Sequence, residues 1–246
     1  MAEAWELDFV LSTFSCGCFS ARDATGTAIG FITSYKHHRS GWIGNLIVSR
    51  EWRGKGLGEI LFLAAYSALK QAGVETAWLT ASKMGQSLYE KHGFRRIDTI
   101  NRWTGAGEGK IASCAVSKTG FNIDIDLLGW GDRRERLLAV VTERGRCLAR
   151  EGCFAVLQPC GEAVQLGPFA TVDPARVEVL LQDVLDHVPK GCPIYIDAPA
   201  SNQAVFVLLQ KRKFQIQGSN ELMYAGIRPD YRPSYIYGLA SMGSMG

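Results

Sequence analysis

A glycine-rich stretch between a strand pattern and a helix pattern constrains this chain more than any other feature. Residues 48–58 read VSREWRGKGLG; the run before them is apolar, and the run after them is amphipathic at helical spacing. Three glycines at alternate positions, Gly54, Gly56 and Gly58, leave the turn almost free of side chains. Such a turn can point successive backbone N–H groups into one concavity, and the positive end of the following helix dipole adds to the attraction for anions. The stretch therefore predicts a grip on a phosphate or pyrophosphate.

Spacing separates the ligand classes that use such loops. A loop for ATP or GTP has Ser or Thr after its lysine, whereas Lys55 is followed by glycine. A dinucleotide fingerprint would place Glu59 at its third glycine, and that carboxylate would repel a pyrophosphate. The remaining pattern, R/Q-x-x-G-x-G/A, is matched in full by Arg53, Gly56 and Gly58.

A second motif follows a short apolar strand pattern at residues 78–81. Residues 83–94 read KMGQSLYEKHGF, with Met84, Leu88 and Tyr89 on one helical face. Gly93 stands where a helix needs a left-handed residue at its C-terminal cap. Together, the glycine loop and the string LYEKHGF resemble the two signatures of the GNAT superfamily of N-acetyltransferases, over residues 18–104.

The resemblance implies direct transfer of an acetyl group from acetyl-coenzyme A to a primary amine of a small molecule or protein. Backbone amides of residues 53–58 would hold the pyrophosphate. Pantetheine would lie where strand 42–48 parts from strand 78–81, and a free N–H there could stabilise the oxyanion. Tyr89 matches the position of a tyrosine that protonates the leaving thiolate. The residues implied to bind the coenzyme are Leu46, Ile47, Val48, Arg53, Gly54, Lys55, Gly56, Leu57, Gly58 and Ser82.

No general base is visible in the sequence. The strand before the loop carries no carboxylate, and Asn45 cannot serve as a base. We interpret His37 and His38 as solvated loop histidines. Asp197 ends a buried strand pattern, where it would either recognise a cationic amine or cap the helix that begins near Ser201.

The second half of the chain repeats the plan of the first. With Phe214 placed on Phe94, leucines and lysines of the two halves coincide, but Leu209 takes the position of Tyr89. Its strand-to-helix loop, residues 170–175, reads ATVDPA and has neither glycine nor arginine. This half resembles the degenerate C-terminal domain of tandem GNAT proteins, and we interpret it as a scaffold and a possible substrate wall.

The expected fold is α/β (α+β), with two tandem GNAT-like domains at residues 1–118 and 119–246. Each is expected to be a mixed, mostly antiparallel sheet flanked by helices, and the first lacks the usual N-terminal strand and helices. Strands are predicted at residues 18–22, 27–35, 42–48, 75–81, 95–103, 146–150, 154–158, 163–171 and 193–198. Helices are predicted at residues 57–71, around Tyr89, and at 132–143, 174–187 and 201–213.

Net charge, apolar runs and cysteine count exclude several classes of partner and site. A net charge of +3 is too mild to indicate nucleic acid, and no apolar run approaches the length of a membrane span. Seven cysteines, an odd number without a C-x-x-C pair, predict neither a disulfide frame nor a metal site. We expect a cytoplasmic protein and a possible homodimer. The alternatives to an acetyltransferase are a non-catalytic acyl-coenzyme A-binding or sensor module and, less favoured, a nucleotide-binding regulator.

Overall fold

Two compact units make up the computed structural model, which describes residues 4–110 and 122–246. Unit 1 contains Met1–Ile97, Leu222–Arg228 and Met242–Gly246. Unit 2 contains Asp98–Glu221 and Pro229–Ser241. The domain boundary predicted between residues 118 and 119 lies outside the described residues and stays a prediction.

Unit 1 combines helices with a mixed sheet. Its elements in chain order are α1 (Ala4–Phe14), β1 (Phe19–Arg22), β2 (Ala28–Lys36), β3 (Ser40–Val48), α2 (Leu57–Gln71), β4 (Thr76–Ala81) and α3 (Gln86–Lys91). The strands follow the order β1-β2-β3-β4, and residues 222–226 continue the sheet beside β4. β2 pairs with β1 and β3 in antiparallel orientation, and β3 pairs with β4 in parallel orientation.

Unit 2 also combines helices with a mixed sheet. Its elements are most of β5 (Arg95–Ala106), α4 (Ile123–Trp130), α5 (Glu135–Arg144), β6 (Arg146–Arg150), β7 (Cys153–Cys160), β8 (Ala163–Thr171), α6 (Pro174–His187), β9 (Pro193–Pro199), α7 (Gln203–Lys211), part of β10 (Gln215–Gly226) and β11 (Ile236–Gly238). The strand order is β5-β9-β8-β7-β6, and β11 pairs with β8. The predicted mixed, mostly antiparallel architecture is confirmed.

The helix after the glycine loop owes its position to one apolar face. Leu61, Phe62, Ala65 and Leu69 recur at helical spacing and are buried in the core of unit 1. Burying each of the larger side chains stabilises the fold by about 1.5–3 kcal/mol. The first turn of α2 is thereby held beside the end of β3.

Strand alternation gives the sheet of unit 1 two distinct faces. Ile43 of β3 and Leu79 of β4 pack in the core that contains α2. Their neighbours Trp42 and Trp78 point the opposite way, and their rings stack with centroids 6.4 Å apart. The face opposite α2 is therefore aromatic where β3 and β4 pair.

Several element bounds are those predicted from periodicity and caps. The helices at 57–71 and 174–187 and the strands at 146–150 and 163–171 are confirmed. Asp173 caps α6 by accepting a hydrogen bond of 3.0 Å from the N–H of Ala175. Helix α4 was not predicted, although the N-cap Asn122 and the left-handed Gly131 mark its ends.

The strand predicted at residues 95–103 lies mostly in unit 2 and not in unit 1. Residues 95–103 were expected to complete the first α/β unit, but the segment from residue 98 onward pairs with β9 in unit 2, from Ile100 opposite Pro199 to Ala106 opposite Pro193. Residues 222–228 likewise lie in unit 1. Alternating hydrophobicity predicts a strand but does not specify which strand edge it joins.

No helix among the described residues is both long and apolar enough to cross a bilayer.

Candidate functional site

The loop between β3 and α2 is open and strongly curved. Gly54 and Gly56 have φ of +73° and +80°, the left-handed region in which other residues are strained. A Cβ added at either position would meet no atom within 4 Å, so the space above the loop is free. Gly56 is the N-cap of α2, which gives the helix no side-chain cap.

The loop presents a row of backbone donors. Within the described chain, no acceptor is found for the N–H groups of residues 54–58. The N–H of Arg53 is different, because it donates to the carbonyl oxygen of Arg50 at 3.3 Å in a 3₁₀ turn. Five of the six amides predicted to face a ligand are therefore unpaired, at the positive end of a 15-residue helix.

Side chains of the loop brace its backbone and add positive charge. The Nε of Arg53 donates to the carbonyl oxygen of Val48 at 2.9 Å, which ties the loop to the end of β3. The Nζ of Lys55 lies 4.8 Å from the ring centroid of Trp52. Both cations are exposed, so they attract an anion without blocking the donors.

The predicted gap between β3 and β4 is present. Parallel pairing runs from Ser40 opposite Thr76 to Ile43 opposite Leu79 and then ends, although both strands continue. A bulge lies just beyond this point, where Asn45 has φ of +53° and donates from Nδ2 to Thr33 Oγ1 at 3.1 Å.

Leu46, Ile47 and Val48 follow the bulge. On the side of β4, no described strand pairs with them. Ile47 is 51% exposed, and Leu46 and Val48 are half-buried. Residues 46–48 therefore line the gap, and their contact with the coenzyme stays a prediction. The bulge was missed, and its only sequence signal was the adjacent Gly44 and Asn45, two residue types that tolerate left-handed backbone.

Tyr89 lies on α3, in the aromatic cluster behind α2. Its ring centroid is 5.2 Å from that of Phe62 and 6.1 Å from that of Phe94. Burial raises the pKa of Tyr89 to about 12, because the charged phenolate is poorly solvated there. The phenol therefore keeps its proton throughout the physiological range and is available as a proton donor.

Two neighbouring polar residues define the surroundings of α3. Ser82 is exposed just after β4, and its carbonyl oxygen accepts from the N–H groups of Gly85 and Gln86. Glu59 of α2 accepts hydrogen bonds from Lys91 at 2.7 Å and His92 at 2.8 Å. These bonds lower the pKa of Glu59, with the Lys91 bond as the larger cause.

In unit 2 the corresponding loop, residues 170–175, has its donors occupied. The N–H of Val172 donates to Gly152 O at 2.8 Å, and that of Asp173 donates to Thr171 Oγ1 at 2.8 Å. The N–H of Ala175 donates to the Asp173 side chain, and Pro174 has no N–H. The loop therefore offers no nest for an anion.

The gap between β8 and β9 in unit 2 is filled by the chain itself. Parallel pairing stops after Gln165 opposite Tyr195, and β11 pairs with β8 beyond that point. The N–H of Leu239 donates to Asp197 O at 2.8 Å. A Cβ at Gly167 would overlap the carbonyl oxygen of Leu239, so the filling segment lies in close contact.

The helices that carry Tyr89 and Leu209 end in the same way. Phe94 donates its N–H to Tyr89 O at 3.1 Å, and Phe214 donates to Leu209 O at 2.9 Å. The residue before each phenylalanine is left-handed: Gly93 in unit 1 and Lys213 in unit 2. This geometry supports the overlay of the two halves, in which Leu209 replaces the phenol.

The residues considered for proton removal and amine recognition have other roles. Asp197 is buried and accepts two hydrogen bonds from Arg102, at 2.8 and 2.6 Å, within unit 2. It does not cap α7, because Asn202 does so by accepting from the N–H of Val205. His37 is half-buried rather than solvated, and its Nε2 donates to Met245 O at 3.1 Å.

No group of three or more His, Cys, Asp or Glu residues suited to a metal ion occurs in the part of the chain that the structure describes.

Comparisons with known proteins match both halves. A family model described as "Acetyltransferase (GNAT) domain" matches residues 15–96, and another with the same description matches residues 123–238. No curated protein sequence matches the chain.

Solved structures resemble the chain along most of its length. One is a Pyrococcus horikoshii protein described only provisionally as an acetyltransferase. It is 22% identical with a TM-score of 0.85, over 98% of this chain and 84% of that one. Another, a GCN5-related N-acetyltransferase from Sphaerobacter thermophilus, is 16% identical with a TM-score of 0.61, over 87% and 83%. At these identities the likeness concerns the fold alone.

Proposed function

The chain belongs to the GNAT acetyltransferase family in both of its halves, and from this premise we propose that unit 1 transfers an acetyl group from acetyl-coenzyme A directly to a primary amine. Acetyl transfer in general follows from the family. The identity of the donor, the class of acceptor and the assignment of the site to unit 1 are the proposal. The observation that carries it is the row of unpaired N–H groups at residues 54–58.

The residues of the loop fit the diphosphate of the coenzyme. The N–H groups of residues 54–58 are five donors in one curved segment, and Arg53 and Lys55 add two cations. Hydrogen bonds to a charged acceptor contribute about 1.5–3 kcal/mol each. The glycines admit this approach because no side chain covers the amides. The corresponding loop of unit 2, residues 170–175, has neither glycine nor arginine, and its amides are paired, which supports unit 1 as the site.

The gap beside β3 fits the extended arm of the same molecule. Residues 46–48 have a strand backbone without a partner on the side of β4, so their N–H and carbonyl groups can pair with amides of pantetheine. When bound, acetyl-coenzyme A supplies a thioester whose acyl carbon accepts the amine nitrogen while the thiolate leaves. A backbone N–H at the bulge near Asn45 would stabilise the negative charge that develops on the thioester oxygen.

Tyr89 is the proposed acid. The C–N bond forms as the C–S bond breaks, the thiolate takes the phenolic proton, and the proton that the amine releases to solvent balances the one that Tyr89 regains. A pKa of about 12 keeps the phenol protonated before each turnover. Ser82, exposed at the end of β4, is proposed as a further contact of the coenzyme.

The alternative is a non-catalytic module that binds acyl-coenzyme A. The two functions differ in whether Tyr89 matters, because binding alone does not require a phenol. Thiol release from acetyl-coenzyme A, measured with a panel of small amines and peptides with free amino termini, should reveal turnover. In the Tyr89→Phe variant we expect kcat to fall by about 100-fold or more with little change in coenzyme affinity.

Tyr66→Phe is the matched control. Tyr66 belongs to the same cluster, with ring centroids 5.8 Å from Phe62 and 5.3 Å from Phe94. Its hydroxyl has no proposed role in the reaction, so turnover should stay close to that of the unmodified protein. Coenzyme binding without thiol release for any amine would favour the binding module, and unchanged kcat in Tyr89→Phe would remove the acid role.

A further inference from the structure

Residues 242–246 lie across the gap between β3 and β4, within unit 1. A Cβ at Gly44 of β3 would overlap the carbonyl oxygen of Ser244, and a Cβ at Gly243 would lie 2.8 Å from Thr80 Oγ1 of β4. Gly44 and Thr80 are the first residues beyond the last parallel pair. The segment therefore bridges the two strands at the place where they begin to separate.

The covered face is the one opposite α2. Ile43 and Leu79 point into the core that contains α2, and alternation turns their neighbours Trp42, Gly44 and Thr80 the other way. Tyr89, by contrast, packs against Phe62 of α2. The segment and the proposed acid thus lie on opposite sides of the gap. Two reactants that meet in the gap would enter it from these two sides.

Two hydrogen bonds hold the backbone of the segment, and the side chain of Met245 is fully buried. Trp42 Nε1 donates to Gly243 O at 3.2 Å, and His37 Nε2 donates to Met245 O at 3.1 Å. The carbonyl of Ser244 fits over Gly44 only because Gly44 has no Cβ. A surface that donates to alternate carbonyls recognises main chain, which every peptide has and a simple amine lacks.

The segment occupies this face at a cost. Ser244 is 5% exposed, and its Oγ has no hydrogen-bond partner in the described structure. A buried hydroxyl without a partner destabilises the state that buries it. Gly243 is left-handed, with φ of +95°, and provides a point at which the segment can bend away. A competing peptide that satisfies its own polar groups can therefore displace it.

We propose that the face formed by Trp42, Gly44 and Thr80 binds an extended peptide, that residues 242–246 hold the place of that peptide, and that the acceptor is the amino terminus of a peptide or protein. This inference rests on the proposed function and names its acceptor. The groups that contact the segment on this face, from His37 and Trp42, donate to peptide carbonyl oxygens, which a polyamine does not have.

The test uses the full chain, a variant that lacks residues 242–246, and two acceptors: a short peptide with a free amino-terminal serine and no lysine, and spermidine. Removing the segment should raise kcat/KM for the peptide by about tenfold, equivalent to about 1.4 kcal/mol of released competition. The KM for acetyl-coenzyme A should stay the same. An N-acetylated peptide with the sequence Met-Gly-Ser-Met-Gly, added to the shortened variant, should compete with the peptide acceptor.

Ser244→Ala keeps the test decisive if the shortened variant does not fold. Without the unpaired hydroxyl the segment should bind its face more tightly, so peptide KM should rise by about threefold or more at unchanged kcat, and the melting temperature should rise. Gly218→Ala, at a strand position where a Cβ meets nothing within 4 Å, should change neither.

Spermidine acetylated with higher kcat/KM than the peptide would overturn the inference and leave the proposed function intact. Lower peptide turnover after removal of the segment would do the same, because it would make the segment a wall of the site. Absence of thiol release with every acceptor would instead overturn the proposed function.

Discussion

The loops that open α2 in unit 1 and α6 in unit 2 follow equivalent strands, and both introduce helices of similar length, 15 and 14 residues. In unit 1 the N–H groups of residues 54–58 have no partner among the described residues, whereas in unit 2 those of Val172, Asp173 and Ala175 donate to the chain itself. Because the helix dipole is present in both, it is not sufficient to make an anion site. The unpaired amides distinguish the two loops.

The gaps beside the two loops differ in the same way. In unit 2, β11 pairs with β8 and Leu239 donates to Asp197, so backbone hydrogen bonds within the chain take the place of a ligand. In unit 1, the side chains of Trp42 and His37 hold residues 242–246, with one hydroxyl left unpaired. One fold thus contains a gap filled through backbone pairing and a gap whose filling segment is held by side-chain donors.

The largest expected effect comes from placing a carboxylate in the glycine loop of unit 1, as Asp173 does in the corresponding loop of unit 2. Gly56→Glu places bulk and negative charge over the donors of residues 54–58, so acetyl-coenzyme A affinity should fall by at least about 100-fold, the loss of two or so charge-assisted hydrogen bonds. Isothermal titration calorimetry measures it. Gly161→Glu is the control, since Gly161 is also left-handed and open but lies in the hairpin between β7 and β8. Normal affinity in Gly56→Glu would remove the loop from the site.

The next effect concerns the phenol of Tyr89, which unit 2 replaces with Leu209. The pKa of Tyr89 is raised to about 12 in the fold, above about 10 in an unfolded chain. The resulting stability, about 2–3 kcal/mol, is fully present below about pH 10 and is lost as the pH rises through about 12. Urea unfolding at about pH 9 and pH 11.5 should therefore show a larger decrease for the unmodified protein than for Tyr89→Phe. Equal decreases would mean that the phenol ionises as freely in the fold as outside it.

A smaller effect is expected from the loop of unit 2. Asp173→Ala removes the cap of α6 and should lower the free energy of unfolding by about 1 kcal/mol, with acetyl-coenzyme A affinity unchanged. Asn122→Ala, which removes the cap of α4, is the control for a lost cap elsewhere. A second coenzyme-binding event in Asp173→Ala would contradict this expectation. It would mean that the hydrogen bond from Ala175 to the Asp173 side chain was all that kept the loop from binding an anion.

The smallest effect concerns the matched helix ends. Lys213 holds a left-handed backbone with φ of +62° that Gly93 adopts without strain. Lys213→Gly should raise the free energy of unfolding by about 0.5 kcal/mol, since relief of strain is partly offset by the greater freedom of glycine in the unfolded chain. Gly93→Ala should lower it by about 1 kcal/mol. Chemical denaturation of both variants checks the pair, and changes of the same sign would contradict the equivalence of the two ends.

Much of the fold could be predicted because the signals are local. Helix α2 was located by four apolar residues at helical spacing, and α6 by the Asp173 cap with Pro174 after it. Helix α4 was missed, since its eight residues have too little polar contrast to give a helical pattern. The strand at residues 95–103 was predicted, but its partner in unit 2 was not, because pairing depends on residues nearly a hundred positions away.

The amino-acid sequence by itself determined the loop. Glycines at 54 and 56 allow left-handed backbone, and they leave no side chain to cover the amides of the loop. Tertiary structure alone decided what fills each gap. Residues 236–240 lie beside β8 and residues 242–246 beside β3, contacts between segments far apart in the chain whose sequences carry no pattern for them. Local backbone conformation depends on neighbouring residues. The pairing of two distant segments depends on the folded backbone that brings those segments together.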